Sequence, residues 1–185
     1  MMSNSWYSTV PADAPLTQGD LIEACPLLQW DAEAVTASQQ LEKSVRAVAA
    51  DVIVMTQACD LEHGKVDNVL LCPCDKMSVY REMWEKEQRA RNQTPFNKSW
   101  GRHCDNIRDG YTWNLGLLDA APDGEPVIVN FHEVYTVPRR FLESFLREQA
   151  RSRLRLSSPY REHLSQAFAR FFMRVGLPTQ VTRAW

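Results

Sequence analysis

The sequence predicts an α+β fold built on one antiparallel, strongly bent sheet. Three observations carry that reading. Apolar runs of strand length, Asp51-Val52-Ile53-Val54-Met55-Thr56 and Val69-Leu70-Leu71-Cys72, come early and close together. A single helical stretch, Lys76 to Arg91, interrupts the strands, and the remaining helical periodicity is collected after Val137. Strands followed by clustered helices, without regular βαβ alternation, select α+β over a parallel sheet. The chain has 185 residues, 44% of them hydrophobic and 24% charged, which suits one globular domain and excludes a low-complexity or solenoid chain.

Residues 1–15 are polar with two prolines and read as a mobile arm in front of a single domain over 16–185. Gly19 to Pro26 reads as a first strand, entered through a glycine turn and stopped by proline. Leu28 to Glu42 mixes Asp, Thr, Ser and Gln with scattered apolar residues and reads as a long connection with a short helix. Ser44 to Gln57 is the next strand and Val69 to Cys72 its mate, joined across Asp60 to Asn68, which has the Gly, Asn and Asp of a hairpin loop.

The helical insertion covers about 76–110. In Lys76 to Arg91, Met77, Tyr80 and Trp84 share a face, and Glu82/Lys86, Glu85/Arg89 and Glu87/Arg91 are i, i+4 pairs with the acid first. Residues 92–110, with Pro95, Gly101 and Gly110, read as irregular. Tyr111 to Leu118 and Val127 to Val134 form a second hairpin around the turn Asp119 to Pro126.

The C-terminal helical part is expected over 138–176. Pro138 opens a helix carrying Phe141, Leu142, Phe145 and Leu146. In the last helix, Ser158 and Pro159 supply the start, Tyr160, Leu164, Phe168, Phe171 and Val175 make an apolar stripe, and Gly176 and Pro178 end it. Its opposite face presents His163, Gln166, Arg170 and Arg174 at helical spacing.

The formal charge of −2 conceals a polarised molecule. From Val137 onward there are ten Arg, no Lys and three Glu, a balance of +7; the preceding residues carry 11 basic and 20 acidic side chains, a balance of −9. Arginine without lysine suits bidentate recognition of phosphate or carboxylate, so the C-terminal part points to RNA or an acidic protein partner. The competing reading pairs these arginines with the acidic remainder of the same chain. The first thirty residues lack a secretory signal, and no apolar run approaches the roughly 20 residues that span a bilayer, so a cytoplasmic protein without membrane attachment is expected. In that compartment the five cysteines read as reduced thiols.

Gly19-Asp20-Leu21-Ile22, Val52 to Gln57, Val69-Leu70-Leu71-Cys72-Pro73 and Val129 to Val137 together resemble the strand motifs of MazF/PemK-type toxins. The resemblance implies a small SH3-like β-barrel with helices, usually a homodimer, and metal-independent cleavage of single-stranded RNA within a toxin or defence system; joined to the element order above, it gives a barrel with an inserted helix and two C-terminal helices. It assigns an arginine before the second strand to stabilise phosphorane charge and a hydroxyl after it to position the scissile phosphate, and the matching residues here are Arg46 and Thr56. The family's G-x-R-P context is not present, and the chain is about half again as long as a typical member.

Other chemistry-bearing candidates follow from residue type and spacing. Cys59, His63, Cys72 and Cys74 supply three thiols and an imidazole within sixteen residues, a candidate zinc set and the one cofactor the spacing raises. Pairing centred near His63 and Gly64 sets Cys72 opposite Met55, on the order of 13 Å from Cys59, which argues for buried thiols instead. Cys59 and Asp60 at a strand exit form a candidate nucleophile and anchor, with His63, His103 and His132 as candidate bases. Trp84, Trp100, Trp113 and Tyr111 interleave with arginines in a pattern suited to stacking unpaired bases, or to filling the seam beside the helical insertion. Arg161, Gln166, Arg170 and Arg174 complete the candidate binding set.

Overall fold

The computed structural model describes residues 5–31, 44–121 and 124–173. Its elements are β1 (Tyr7–Val10), β2 (Leu21–Trp30), β3 (Val45–Val54), α1 (Ala58–Glu62), β4 (Asn68–Lys76), α2 (Met77–Ala90), α3 (Asn97–Arg108), β5 (Leu115–Leu118), β6 (Val127–Asn130), β7 (Tyr135–Pro138), α4 (Arg139–Gln149), β8 (Arg153–Leu156) and α5 (Tyr160–Phe172). All pairing is antiparallel. A six-stranded sheet runs β2-β3-β4-β6-β5, with β7 also pairing with β4, and β1 and β8 form a separate two-stranded sheet. The chain is therefore mixed α+β with antiparallel sheets.

Strand β4 is the hub. Val52, Ile53 and Val54 of β3 lie against Pro73, Cys72 and Leu71, while the opposite edge of β4 gives Asn68–Leu71 to β7 and Cys74–Lys76 to β6. Both faces of the sheet are covered, which is why the two central strands read as continuous apolar runs and not as alternation. Val52, Val54, Val69 and Leu71 point to a core closed by Leu142 and Leu146 of α4. Ile53, Met55, Cys72 and Cys74 point the other way, to a core closed by Leu156 of β8 and Leu164 of α5. Phe131, fully buried in that second core, leaves no room beside it, and a Cβ on Gly116 would lie 2.9 Å from its ring.

Several expectations are corrected. Pro26 does not stop β2, which continues to Trp30; β2 is an edge strand, where a residue without an N–H is tolerated. A bulge between Ile22 and Cys25, with Ala24 at φ +48°, is held by the Ala24 N–H donating to Asp51 at 2.8 Å. The Asp60–Asn68 loop begins with helix α1, so Cys72 faces Ile53 and not Met55. Residues 92–110 are largely helix α3: the Ser99 hydroxyl accepts the Phe96 N–H and donates to the Phe96 carbonyl at its start, and Trp100, His103 and Ile107 share its inner face. Gly101 sits on the open side, where its lack of a side chain carries no packing penalty. The connection predicted at Leu28 to Glu42 begins as the end of β2, and its part from 32 to 42 lies outside the described residues, as do Arg174, Val175, Gly176 and Pro178.

The reading of residues 1–15 as a free arm is also corrected, because Tyr7–Val10 is strand β1. Its partner β8 interrupts what reads as a purely helical C-terminal part. The sequence Arg-Leu-Arg-Leu of β8 alternates charge and apolar side chains, and its arginines point at one residue. Asp20 is wholly buried, and Arg153, 6% exposed, donates to it through Nε at 2.8 Å. Arg155 also binds Asp20, with Nη2 at 3.0 Å from Oδ2. The remaining guanidinium donors go to the carbonyls of Pro11, Ala12, Ala14 and Pro15. Gly19, at φ +81°, lets the chain pass against Leu156, where a Cβ would be 3.0 Å from the Leu156 Cβ.

Removing one partner of a buried ion pair strands the other charge, at a cost of about 3–5 kcal/mol. Asp20→Asn is expected to lower the unfolding free energy by that order, measured as a fall in the urea midpoint with an unchanged slope. An unchanged midpoint would show that the network carries no such weight.

Candidate nucleic-acid interface

The residues nominated for catalysis do not converge. Arg46 lies near the start of β3, exposed, and donates to Gln29 across the strand pair at 3.0 Å. Thr56 lies beyond the other end of β3, ten residues of largely extended chain away, on the order of 30 Å. Its hydroxyl oxygen accepts the Leu70 N–H at 2.6 Å, extending the β3–β4 ladder by one rung. Cys59 is exposed on α1, with Sγ 3.8 Å from both the Gln57 and Asp60 side-chain oxygens. Asp60 pairs with Lys65 at 3.5 Å. Neither Cys59 nor Asp60 has a histidine among its hydrogen-bond or ion-pair partners in the described residues.

The zinc set is likewise divided. Cys72 and Cys74 point from β4 into the core, whereas Cys59 and His63 are exposed at α1. Among the described residues, no three His, Cys, Asp or Glu side chains come together in a way that could hold a metal. Burial pushes the Cys72 thiol up to about 12 and raises Cys74 further, with the Asp51 charge adding to the effect, so both behave as small apolar residues. The five thiols thus comprise one exposed group, Cys59, one half-buried, Cys104, and three buried, Cys25, Cys72 and Cys74.

The aromatic residues separate into two groups. Trp84 is buried and fills the α2–α3 seam with Trp100, at 5.2 Å between ring centroids, and His103, at 5.7 Å. The Tyr80 hydroxyl lies 2.9 Å from His103 Nε2 in the same stack, and Arg81 covers Trp100. Burial depresses the His103 pKa, because the seam solvates an imidazolium poorly. Trp84 is thus a packing residue, which corrects its place in the binding set.

Trp113 differs. It precedes β5, is 42% exposed, and lies under the Arg170 guanidinium of α5 at 5.3 Å from the ring centroid, a cation–π distance. The fold places these residues together although 57 positions separate them in the sequence, because α5 packs its Leu164–Phe168–Phe171 stripe along β5 and β6. Tyr111, 73% exposed, stands two residues before Trp113, and His132 meets Phe171 edge-on at 5.0 Å. Gln166 is exposed one turn before Arg170 on the same helix.

Four of the other C-terminal arginines among the described residues are engaged with acids within the chain. Arg139 pairs with Glu143 and donates to the Leu61 carbonyl, Arg153 and Arg155 bind Asp20, and Arg161 pairs with Glu162 at 2.7 Å. Arg161 is therefore removed from a free donor ladder, and Arg174 lies outside the described residues. Sequence reading missed Asp20 as the acceptor of two of these charges. The one available signal was an isolated Gly-Asp entering a strand.

Two outcomes test these placements. Maleimide labelling of the native protein, read by mass spectrometry, is expected to modify Cys59 fastest and Cys104 more slowly, with Cys25, Cys72 and Cys74 reacting only after unfolding. For His103, the depressed pKa means the unfolded chain binds the extra proton first as pH falls below its ordinary 6.5. Stability is expected to fall with acidification through that window and to level off once the folded imidazole also protonates; His103→Gln flattens that part of the urea-midpoint profile. No protein-family model, no curated protein and no solved structure matches this chain.

Proposed function

We propose that the protein is a binding module for unpaired RNA, acting in a bacterial toxin or defence system, and that it takes bases on the surface formed by Tyr111, Trp113 and Arg170. The observation that carries this reading is the Trp113–Arg170 stack. A half-exposed indole under a guanidinium offers a π-face to a base and a positive charge to the adjoining phosphate, and every base has a face to stack. Gln166 and Tyr111 extend the surface with a polar amide and a second ring.

The SH3-like barrel implied by the MazF/PemK resemblance belongs to this reading. It is supported by the unbroken neighbour sequence β2-β3-β4-β7 and by the ends of β2 and β7 facing one groove of about 760 Å³, where Gln29 adjoins the Tyr135 hydroxyl. No backbone ladder among the described residues joins β2 to β7, so the sheet stays open along that groove. The proposal stops at binding, since Arg46 and Thr56 stand at opposite ends of β3. A second reading, docking of an acidic protein on the same helix, is favoured by the exposure of Phe172 and Met173 beside Arg170.

Fluorescence anisotropy with a short unstructured oligoribonucleotide tests the proposal. Trp113→Ala is expected to weaken binding by about 1–3 kcal/mol, at least roughly fivefold. Arg170→Gln is expected to lower the slope of log affinity against log salt by about one. Binding that is absent in the unaltered protein, or indifferent to both substitutions, removes the RNA reading; co-purification of a protein that resists nuclease and fails with Arg170→Glu supports the second.

A further inference from the structure

A cleft of about 420 Å³ opens between the two sheets, on residues no part of the RNA reading uses. Its walls come from β1, β2, β3, β4, β6, β8 and the end of α4. The floor is apolar and well buried: Ile22, Val52, Cys74 and Leu146. A volume of this size with an apolar floor and a few polar groups at the rim is the usual form of a small-molecule site.

The rim carries both signs of charge. Glu23 and Asp51 come from adjacent strands at the β2 bulge, where Asp51 Oδ1 accepts the Ala24 N–H. Lys76 comes from the end of β4, and Arg151 from the turn between α4 and β8. Neither cation has an ion-pair partner among the described residues. The other two rim charges are already engaged: Arg153 binds Asp20, and Glu125 accepts from the Ser78 N–H and hydroxyl. Two carboxylates and two cations therefore face the opening without neutralising one another. The backbone bends unusually on both sides, since Ala24 and Ala150, with φ +48° and +49°, adjoin Glu23 and Arg151. Such conformations persist where surrounding structure imposes them, often beside ligand sites.

We propose that this cleft binds a small zwitterion with an apolar body: an amino acid or dipeptide whose ammonium meets Glu23 and Asp51, whose carboxylate meets Lys76 and Arg151, and whose side chain rests on Ile22, Val52 and Leu146. A purely anionic ligand would face the carboxylates and a purely cationic one the Lys76 and Arg151 charges. A neutral apolar ligand would leave all four unanswered.

Isothermal titration calorimetry with L-leucine and with L-leucyl-L-leucine tests the site, with N-acetyl-leucyl-leucine amide as the charge-free control. Saturable binding of either zwitterion is expected, and which one binds more tightly decides between amino acid and dipeptide. Asp51→Asn, which keeps an oxygen for the Ala24 N–H, and Lys76→Ala and Arg151→Ala, at exposed positions, are each expected to weaken binding tenfold or more. The urea midpoint of each variant confirms folding, and Glu23→Gln replaces any that is destabilised. Trp113→Ala is expected to bind the zwitterion normally. The proposal is overturned by absence of saturable heat with both zwitterions, by equal affinity for the blocked control, by indifference to the rim substitutions, or by loss of binding with Trp113→Ala.

Discussion

The buried carboxylate of Asp20 is the constraint on which the molecule's layout depends. A charge with no exposure to solvent needs partners, and the chain supplies two arginines from a strand more than 130 residues away. Their remaining donors then fix the carbonyls of the Pro11–Pro15 segment, so the network joins the N-terminal residues, the start of β2 and the two-stranded sheet. Backbone bonds run through the same point: Gly19 N–H donates to Val54, Val54 N–H to Asp20, and Leu156 N–H to Gly19. An ion pair taken out of water gains little net stability over an apolar replacement, but breaking it is costly. Its effect is therefore to make one docking of β8 acceptable and others poor.

That docking shapes both candidate surfaces. With β8 and α5 against one face of the large sheet and α4 against the other, the space between the small sheet and the β2 bulge remains as the charged cleft. The same placement of α5 brings Arg170 over Trp113. Arginine is well suited to both tasks, since its planar fork can be saturated by a carboxylate and carbonyls inside the protein and can stack on an indole at the surface.

The strong C-terminal charge excess has a different meaning in three dimensions than along the chain. A balance of +7 after Val137 suggests a basic face. Within the structure, Arg139 and Arg161 pair with Glu143 and Glu162, acids that the balance already counts, while Arg153 and Arg155 are drawn inward to share Asp20, an acid from outside the segment. Charge counted by segment overstates the external field whenever the segment contributes strands or helix ends to the interior.

Local signals were enough to place the apolar runs of β3 and β4, the β5–β6 hairpin, and helices α2, α4 and α5 with their apolar stripes, because period and turn chemistry act over a few residues. The sequence also carried Trp113 and Arg170 as stacking and phosphate-binding residue types. Tertiary structure alone decided that β1 and β8 are strands, since each is four residues long and stable only against the other, and that Pro26 is tolerated at an unpaired edge. It decided too that Trp84 is core while Trp113 is surface, that Arg46 and Thr56 are far apart, and that Glu23, Asp51, Lys76 and Arg151 share a rim. Those facts depend on contacts between residues distant in the chain, whose closure entropy and burial no short window of sequence contains.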